Sequence, residues 1–190
     1  MATATLENKQ LDRLAGCIRV CVKCPLHTSR TCAVPGDGDV DARFMIIGEG
    51  PGRDEDRSGH PFVGSAGRYL DHVLEGSGIE RSDFFITNIV KCRPPSNRAP
   101  KAVEVLTCTT HYLFKQIELV DPERIILLGS TAVKKMLVLK NVEEARQRVI
   151  ESNGRKYMAS YHPASRFYRE DLGVKIKEDF AFIRKELEKC

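Results

Sequence analysis

The sequence predicts a single α/β domain built in three layers, an α/β/α sandwich around a central four-stranded parallel sheet. Three observations carry that prediction. The chain has 190 residues, the length of one compact domain and short for two. With 42% hydrophobic and 29% charged residues it holds enough apolar surface to offset the entropy lost on folding, which excludes wholesale disorder. Short apolar runs alternate with stretches of helical periodicity, the pattern of strand and helix units whose strands lie parallel.

The first helix is expected between Glu7 and Val20, where Leu11, Leu14, Ala15 and Ile18 recur at helical spacing, with Pro25 as its stop. The stretch PLHTSRTCAVPGDGDVD that follows is dense in Pro, Gly and Asp and reads as irregular loop. Strands are expected at Phe44 to Gly48, Phe84 to Val90, Arg124 to Gly129 and Lys156 to Ser160. Helices are expected at Ala66 to Leu74, Ala102 to Val120, Thr131 to Leu139 and Val174 to Leu187, the last packed by Phe180 and Ile183. In such a sheet ligands bind beyond the carboxyl ends of the strands, so chemistry belongs in the loops after Gly48, Val90, Gly129 and Ser160. Three of these are unusual: GEGPGRDEDRSGHPFVGSAG, KCRPPSNRAP and YHPASRFY.

The formal net charge of +4 permits an anionic partner without naming one. No apolar run approaches the ~18 residues of a membrane span, and MATATLENKQLDRL lacks the apolar core of a signal peptide, so a cytosolic or nuclear protein is expected. Seven cysteines, an odd number without a secretion signal, argue against a disulfide framework and towards metal or a reactive thiol. Cys21 and Cys24 form a CxxC pair, while Cys92 and Cys108 lie mid-chain across a Pro-rich loop. Four thiolates suit zinc and an iron–sulfur cluster alike. Cys17, Cys32 and Cys190 read as small buried apolar residues, with Cys17 and Cys32 near enough to the pair to compete as ligands.

The run Gly48-Glu49-Gly50-Pro51-Gly52 after a strand invites a dinucleotide reading. It fails, because position 53 is Arg where the fingerprint needs its third glycine, and the residues beyond read as loop where it needs a helix. No Gly-Lys-Ser/Thr ending makes a P-loop. What remains is a loop whose glycines allow close backbone approach to a flat ligand, with Glu49 at a strand tip.

Together these blocks resemble the iron–sulfur uracil-DNA glycosylases of the thermostable bacterial and archaeal type, family 4. The resemblance runs from Cys21 to about Arg166. It is carried by CxxCPL at Cys21 to Leu26, GEGPGxxED at Gly48 to Asp56, GHPFVGSAG at Gly59 to Gly67, TNIVKCRPPSNRAP at Thr87 to Pro100, Cys108, and YHPAS at Tyr161 to Ser165. It implies one uracil-DNA glycosylase-like domain over residues 1–190, whose N-terminal helix and loop, about residues 1–40, are tied on by a [4Fe-4S] cluster. The implied cluster ligands are Cys21, Cys24, Cys92 and Cys108. The implied uracil pocket is Glu49, Gly50, Pro51, Phe62, Asn88 and His162, and the family usually has Ala where this chain has Gly50. A relative that traps its DNA covalently carries a basic, His-containing insertion after the second strand, whereas Ser96 to Pro100 holds no His here. Another cluster-bearing branch lacks an acidic residue at the position of Glu49.

The implied reaction is hydrolysis of the N-glycosidic bond of deoxyuridine in DNA, releasing uracil and leaving an abasic site for base excision repair. The alternative is a non-enzymatic iron–sulfur nucleic-acid-binding protein on the same scaffold. A base inside a duplex must be flipped out at a cost of roughly a few kcal/mol, part of which stacking on Phe62 recovers. The Asn88 amide offers an acceptor and a donor that match N3–H and O4 of uracil. His162 is expected to donate to O2 as charge builds on the leaving base. Glu49 is expected to orient or deprotonate water and to stabilise the sugar cation. No lysine is placed by motif as a Schiff-base nucleophile, so no lyase step is expected. Arg93, Arg98, Ser165 and Arg166 are expected at the DNA backbone. The expected partner is uracil-containing DNA, single- or double-stranded, bound by a monomer in a prokaryotic cytoplasm. No segment reads as a peptide for a replication clamp.

Overall fold

The structure, a computed structural model, describes residues 6–189. The run FMIIG becomes β1 (Phe44–Gly48), buried along its whole length as a parallel strand covered on both faces must be. Its side chains divide by alternation. Met45 and Ile47 face a core formed with α1 (Leu6–Arg19), while Phe44 and Ile46 face the opposite one. The chain then forms α2 (Arg53–Ser58), α3 (Ser65–Gly76), β2 (Phe84–Asn88), α4 (Ala102–Cys108), α5 (Phe114–Val120), β3 (Arg124–Leu128) and α6 (Ser130–Leu137). It ends with β4 (Ile150–Ser152), β5 (Arg155–Ser160) and α7 (Glu170–Leu187).

One core joins α1, α5 and α6 to the sheet through Leu11, Ile18, Ile117, Val133 and Met136. The other joins α3 and α7 through Leu70, Val73, Phe180 and Ile183, so three layers stand as expected. The strand order is β2-β1-β3-β5-β4. The first four run parallel, and β4 adds an antiparallel edge. The sheet therefore has five strands and not four. Asn153 and Gly154 close the β4–β5 hairpin with φ of 49° and 73°, the two left-handed residues of a type I′ turn.

Two more local features depart from expectation. The residues after Gly52, read above as loop, form α2, because the Gly52 amide donates to Glu55 Oε2 at 3.0 Å and closes its first turn. The helix expected from Ala102 to Val120 is continuous but carries a π-turn at Thr109–Leu113, directly after Cys108.

At the end of α6, Val138 takes a left-handed φ of 58° with its side chain 89% exposed. A β-branched residue there costs about 1 kcal/mol and gains nothing from packing. Val138→Gly is expected to raise the denaturation midpoint by the equivalent of about 1 kcal/mol. An unchanged midpoint would show that the strain is relieved elsewhere.

The chain leaves β1 for β2 on one side and returns to place β3 on the other. This reversal opens a crevice at the carboxyl ends of β1 and β3.

Candidate active site

A cleft of about 730 Å³ occupies that crevice, and its walls include Glu49, Gly50, Pro51, Phe62, Asn88 and His162. All six residues expected to hold a base therefore meet in one place. Their approach begins with the last residue of β1. Gly48 pairs in register with Asn88. A Cβ on Gly48 would lie 2.5 Å from Asn88 Oδ1 and 2.7 Å from Phe62 Cζ, so the missing side chain is what admits both groups.

Asn88 is 2% exposed, and its Oδ1 is buried without a hydrogen-bond partner among the described residues. A buried carbonyl in that state costs about 1–3 kcal/mol until a donor arrives. Phe62 has φ of 53°, rare for a bulky residue. Two neighbours fix it. In α3, Gly67 packs so closely that a Cβ there would stand 1.8 Å from the Phe62 carbonyl oxygen. From α2, the buried Glu55 Oε1 accepts from the amides of Val63 at 3.0 Å and Gly64 at 2.8 Å. Glu55 thus clamps the glycine loop and the Phe62 loop together. Sequence reading passed over it, although a glycine followed three residues later by Glu is a capping signal.

His162 stacks beside Phe62 with ring centroids 5.7 Å apart and planes 28° from parallel. Its Nδ1 accepts from the Ala164 amide at 3.2 Å, which leaves Nε2 to carry the proton of the neutral ring. Burial pushes the imidazole down to about 4, against a smaller opposing pull from Glu55. His162 is thus a neutral donor. Glu49 is half-buried at the tip of β1, and its Oε2 accepts from the Thr131 hydroxyl at the start of α6.

A Cβ on Gly50 would lie 2.7 Å from Val90 Cγ2, so an alanine at this position would require the valine side chain to shift. Arg93, Arg98 and Ser165 line the cleft, and Arg166 lies outside its lining, its guanidinium 4.3 Å over the Tyr69 ring. Arg98 is already engaged. Its two terminal nitrogens meet the buried Glu104 carboxylate at 2.8 and 2.7 Å, and Glu104 also accepts from the Lys101 amide at 2.7 Å. That pair holds the carboxylate below its usual range and pins the loop ahead of α4. Arg93 donates to Asn97 Oδ1 at 2.7 Å, and the Ser165 hydroxyl to the His162 carbonyl at 2.6 Å. The exposed Phe167 and Tyr168 at the rim went unnoticed in the sequence, where aromatic type alone gave no sign of exposure.

Across the sheet from α3, Cys21, Cys24, Cys92 and Cys108 line one small cavity with Ile18 and Tyr112. The Lys91 amide donates to Cys108 Sγ at 3.3 Å, the Lys23 amide to Cys21 Sγ at 3.5 Å, and Arg30 Nη1 to Cys92 Sγ at 3.1 Å. Burial pushes the thiols of Cys24 and Cys92 up, and that of Cys108 to about 11. Among the described residues no three or more His, Cys, Asp or Glu side chains are grouped to hold a single metal ion. Cys17 is exposed on α1 rather than buried, because its position falls on the solvent face of that helix, and Cys32 is half-buried. Cys190 lies outside the described residues.

The family model of the uracil DNA glycosylase superfamily matches residues 35–188. A Type-4 uracil-DNA glycosylase of Thermotoga maritima is 40% identical over 178 residues, 89% of this chain and 92% of its own. The chain belongs to the type-4 uracil-DNA glycosylases. A second type-4 relative, from Saccharolobus solfataricus, is 42% identical over 187 residues, 93% of this chain and 86% of its own. A Type-5 uracil-DNA glycosylase of Pyrobaculum aerophilum shares less, 32% over 149 residues, 69% of this chain and 65% of its own. The type-4 family thus spans both the cleft and the four-cysteine cavity. No described helix is long and apolar enough to cross a membrane.

Proposed function

We propose that this chain excises uracil from DNA as a monofunctional glycosylase, hydrolysing the N-glycosidic bond and leaving an abasic site for base excision repair. The observation that carries the residue-level reading is the unpartnered Asn88 Oδ1 in the cleft. Uracil supplies the missing donor at N3–H and an acceptor at O4 for the Asn88 amide nitrogen. Cytosine presents the opposite polarity at both atoms and leaves buried groups unpaired. Phe62 stacks on the flipped base, held in place by Gly67 and Glu55. Gly50 and Pro51 let the backbone approach the base edge. Neutral His162 donates from Nε2 to uracil O2 as negative charge gathers on the leaving base. Glu49 orients or deprotonates the attacking water and stabilises the positive charge on the sugar.

Arg93, Arg98, Ser165 and Arg166 take the DNA backbone around the flipped nucleotide, Arg98 doing so while anchored to Glu104. The protein is taken to act as a monomer on uracil-containing DNA, single- or double-stranded, in a prokaryotic cytoplasm. Cys21, Cys24, Cys92 and Cys108 hold a [4Fe-4S] cluster, and the residues present fit it. Four soft sulfur donors share one cavity, three with N–H groups directed at the sulfur. When bound, the cluster supplies a structural cross-link and no step of the reaction. It ties α1 and the loop of residues 20–40 to the segment after β2 and to the end of α4, within the single domain that residues 1–190 are taken to form, residues 1–5 and 190 lying outside those described.

The test is release of free uracil from a uracil-containing oligonucleotide by anaerobically purified, cluster-loaded protein, beside a matched thymine substrate. Uracil-specific release is expected. Failure of brown, folded protein to release uracil would overturn the reading in favour of a binding protein.

A further inference from the structure

Glu49 is asked to act on a water and a sugar from the end of a flexible side chain, so something must select its rotamer. The glycine loop that carries it does not. Gly48, Gly50 and Gly52 surround it in sequence, and the nearby clamp, Glu55, is spent on the amides of Gly52, Val63 and Gly64. The contact comes from across the switch point. We infer that Thr131 is the positioning residue of Glu49, its hydroxyl holding Oε2 so that Oε1 faces the reaction.

Thr131 lies 82 residues further along the chain and supplies the only side-chain hydrogen bond to this carboxylate among the described residues. Its own placement is well determined. It sits in the first turn of α6, which begins after Gly129 with φ of 91°, and the Gly129 amide donates to the Ser160 carbonyl at 2.9 Å. The turn that carries Thr131 is thus tied to the last residue of β5, two positions before His162. A threonine in a helix is held largely to two χ1 rotamers, which narrows the directions open to its hydroxyl before binding. One carboxylate oxygen is consumed and the other left free, and the first turn of a helix favours a negative group beside it. The hydroxyl works through Glu49 and touches no part of the substrate itself.

This inference rests on the reading that Glu49 takes part in hydrolysis, and the experiment separates the two. Thr131→Val keeps the shape and removes the donor. Single-turnover excision by the cluster-loaded variant is expected to slow by about 10- to 100-fold, with substrate affinity within about twofold of the parent. Thr131→Ser is expected to restore most of the rate. In a Glu49→Gln background, adding Thr131→Val is expected to change the rate by less than about twofold, because the partner it positions is already lost. Melting temperature and cluster absorbance establish that each variant is folded, and Thr131→Ala replaces the valine variant if that one is not. A parental rate in Thr131→Val beside a slow Glu49→Gln would overturn the inference and leave the role of Glu49 standing. An undiminished penalty in the double variant would likewise overturn it. A parental rate in Glu49→Gln would overturn the underlying reading and the inference with it.

Discussion

Glu49→Ala and His162→Ala are each expected to slow uracil release by about 10²- to 10⁴-fold while leaving the cluster absorbance unchanged. The two losses differ in origin. Removing Glu49 takes away the group proposed to meet the water and the sugar cation. Removing His162 takes away the neutral donor fixed by the Ala164 amide on its other ring nitrogen. The pH profile separates a neutral donor from an imidazolium. With the ring pushed down to about 4, lowering the pH from about 8 towards 5 protonates no more than about a tenth of His162 and brings no gain in rate from it. A charged donor with an ordinary histidine value would become more populated, and the rate would climb, as pH fell through about 6.5. Such a climb, abolished in His162→Ala, would contradict the neutral assignment.

Gly67→Ala is expected to be as damaging, for a reason that has nothing to do with chemistry. Alanine is the better helix former by about 1 kcal/mol, so propensity alone predicts stabilisation in α3. The added Cβ would stand 1.8 Å from the Phe62 carbonyl oxygen, and backbone on both sides prevents relief. Either α3 moves away or Phe62 abandons its left-handed conformation. Excision is therefore expected to fall by at least about 10²-fold, through misplacement of the stacking ring, with a lowered melting temperature. Gly76, at the other end of α3, is the control. A Cβ there meets nothing within 4 Å, and Gly76→Ala is expected to leave activity intact and stability equal or higher. Parental activity in Gly67→Ala would show that Phe62 is placed by something else.

The four parallel strands were legible because each is an apolar run bounded by turns and covered on both faces. Their ends were less so. β2 stops at Asn88 although Ile89 and Val90 continue the apolar run, because those amides turn to the carbonyls of Gly48 and Glu49 and join the two loops. β4 escaped because Ile150, Glu151 and Ser152 show no buried face, yet the following Asn-Gly is a strong hairpin signal. α2 escaped because RDEDRS has no apolar stripe, and its stability lies in one glycine cap and one buried glutamate. Glu49, Phe62, Asn88 and His162 were legible as members of family blocks. The partners that orient them were not. Thr131 acquires its meaning only when the fold brings segments 82 residues apart into contact. Gly67, five residues after Phe62 in a family block, acquires its own only from the left-handed turn at Phe62 that presses the two backbones together. Arg98 shows the converse, since a cation in a loop beside a pocket invited a phosphate, and the structure supplies a carboxylate from the next helix.

The strand order separates two assembly events in time. All four cysteines of the cavity precede residue 109, whereas His162 follows β5, the last parallel strand to be made. A growing chain therefore possesses the four sulfurs proposed to bind iron before it possesses the donor proposed to assist uracil release. β5 and α7 are the last elements of the chain to be made, so the parallel sheet is completed only when synthesis is nearly finished. On the proposed cluster assignment, iron delivery finds its four sulfur ligands in nascent protein, and a chain interrupted before β5 would carry them while lacking His162 and would release no uracil.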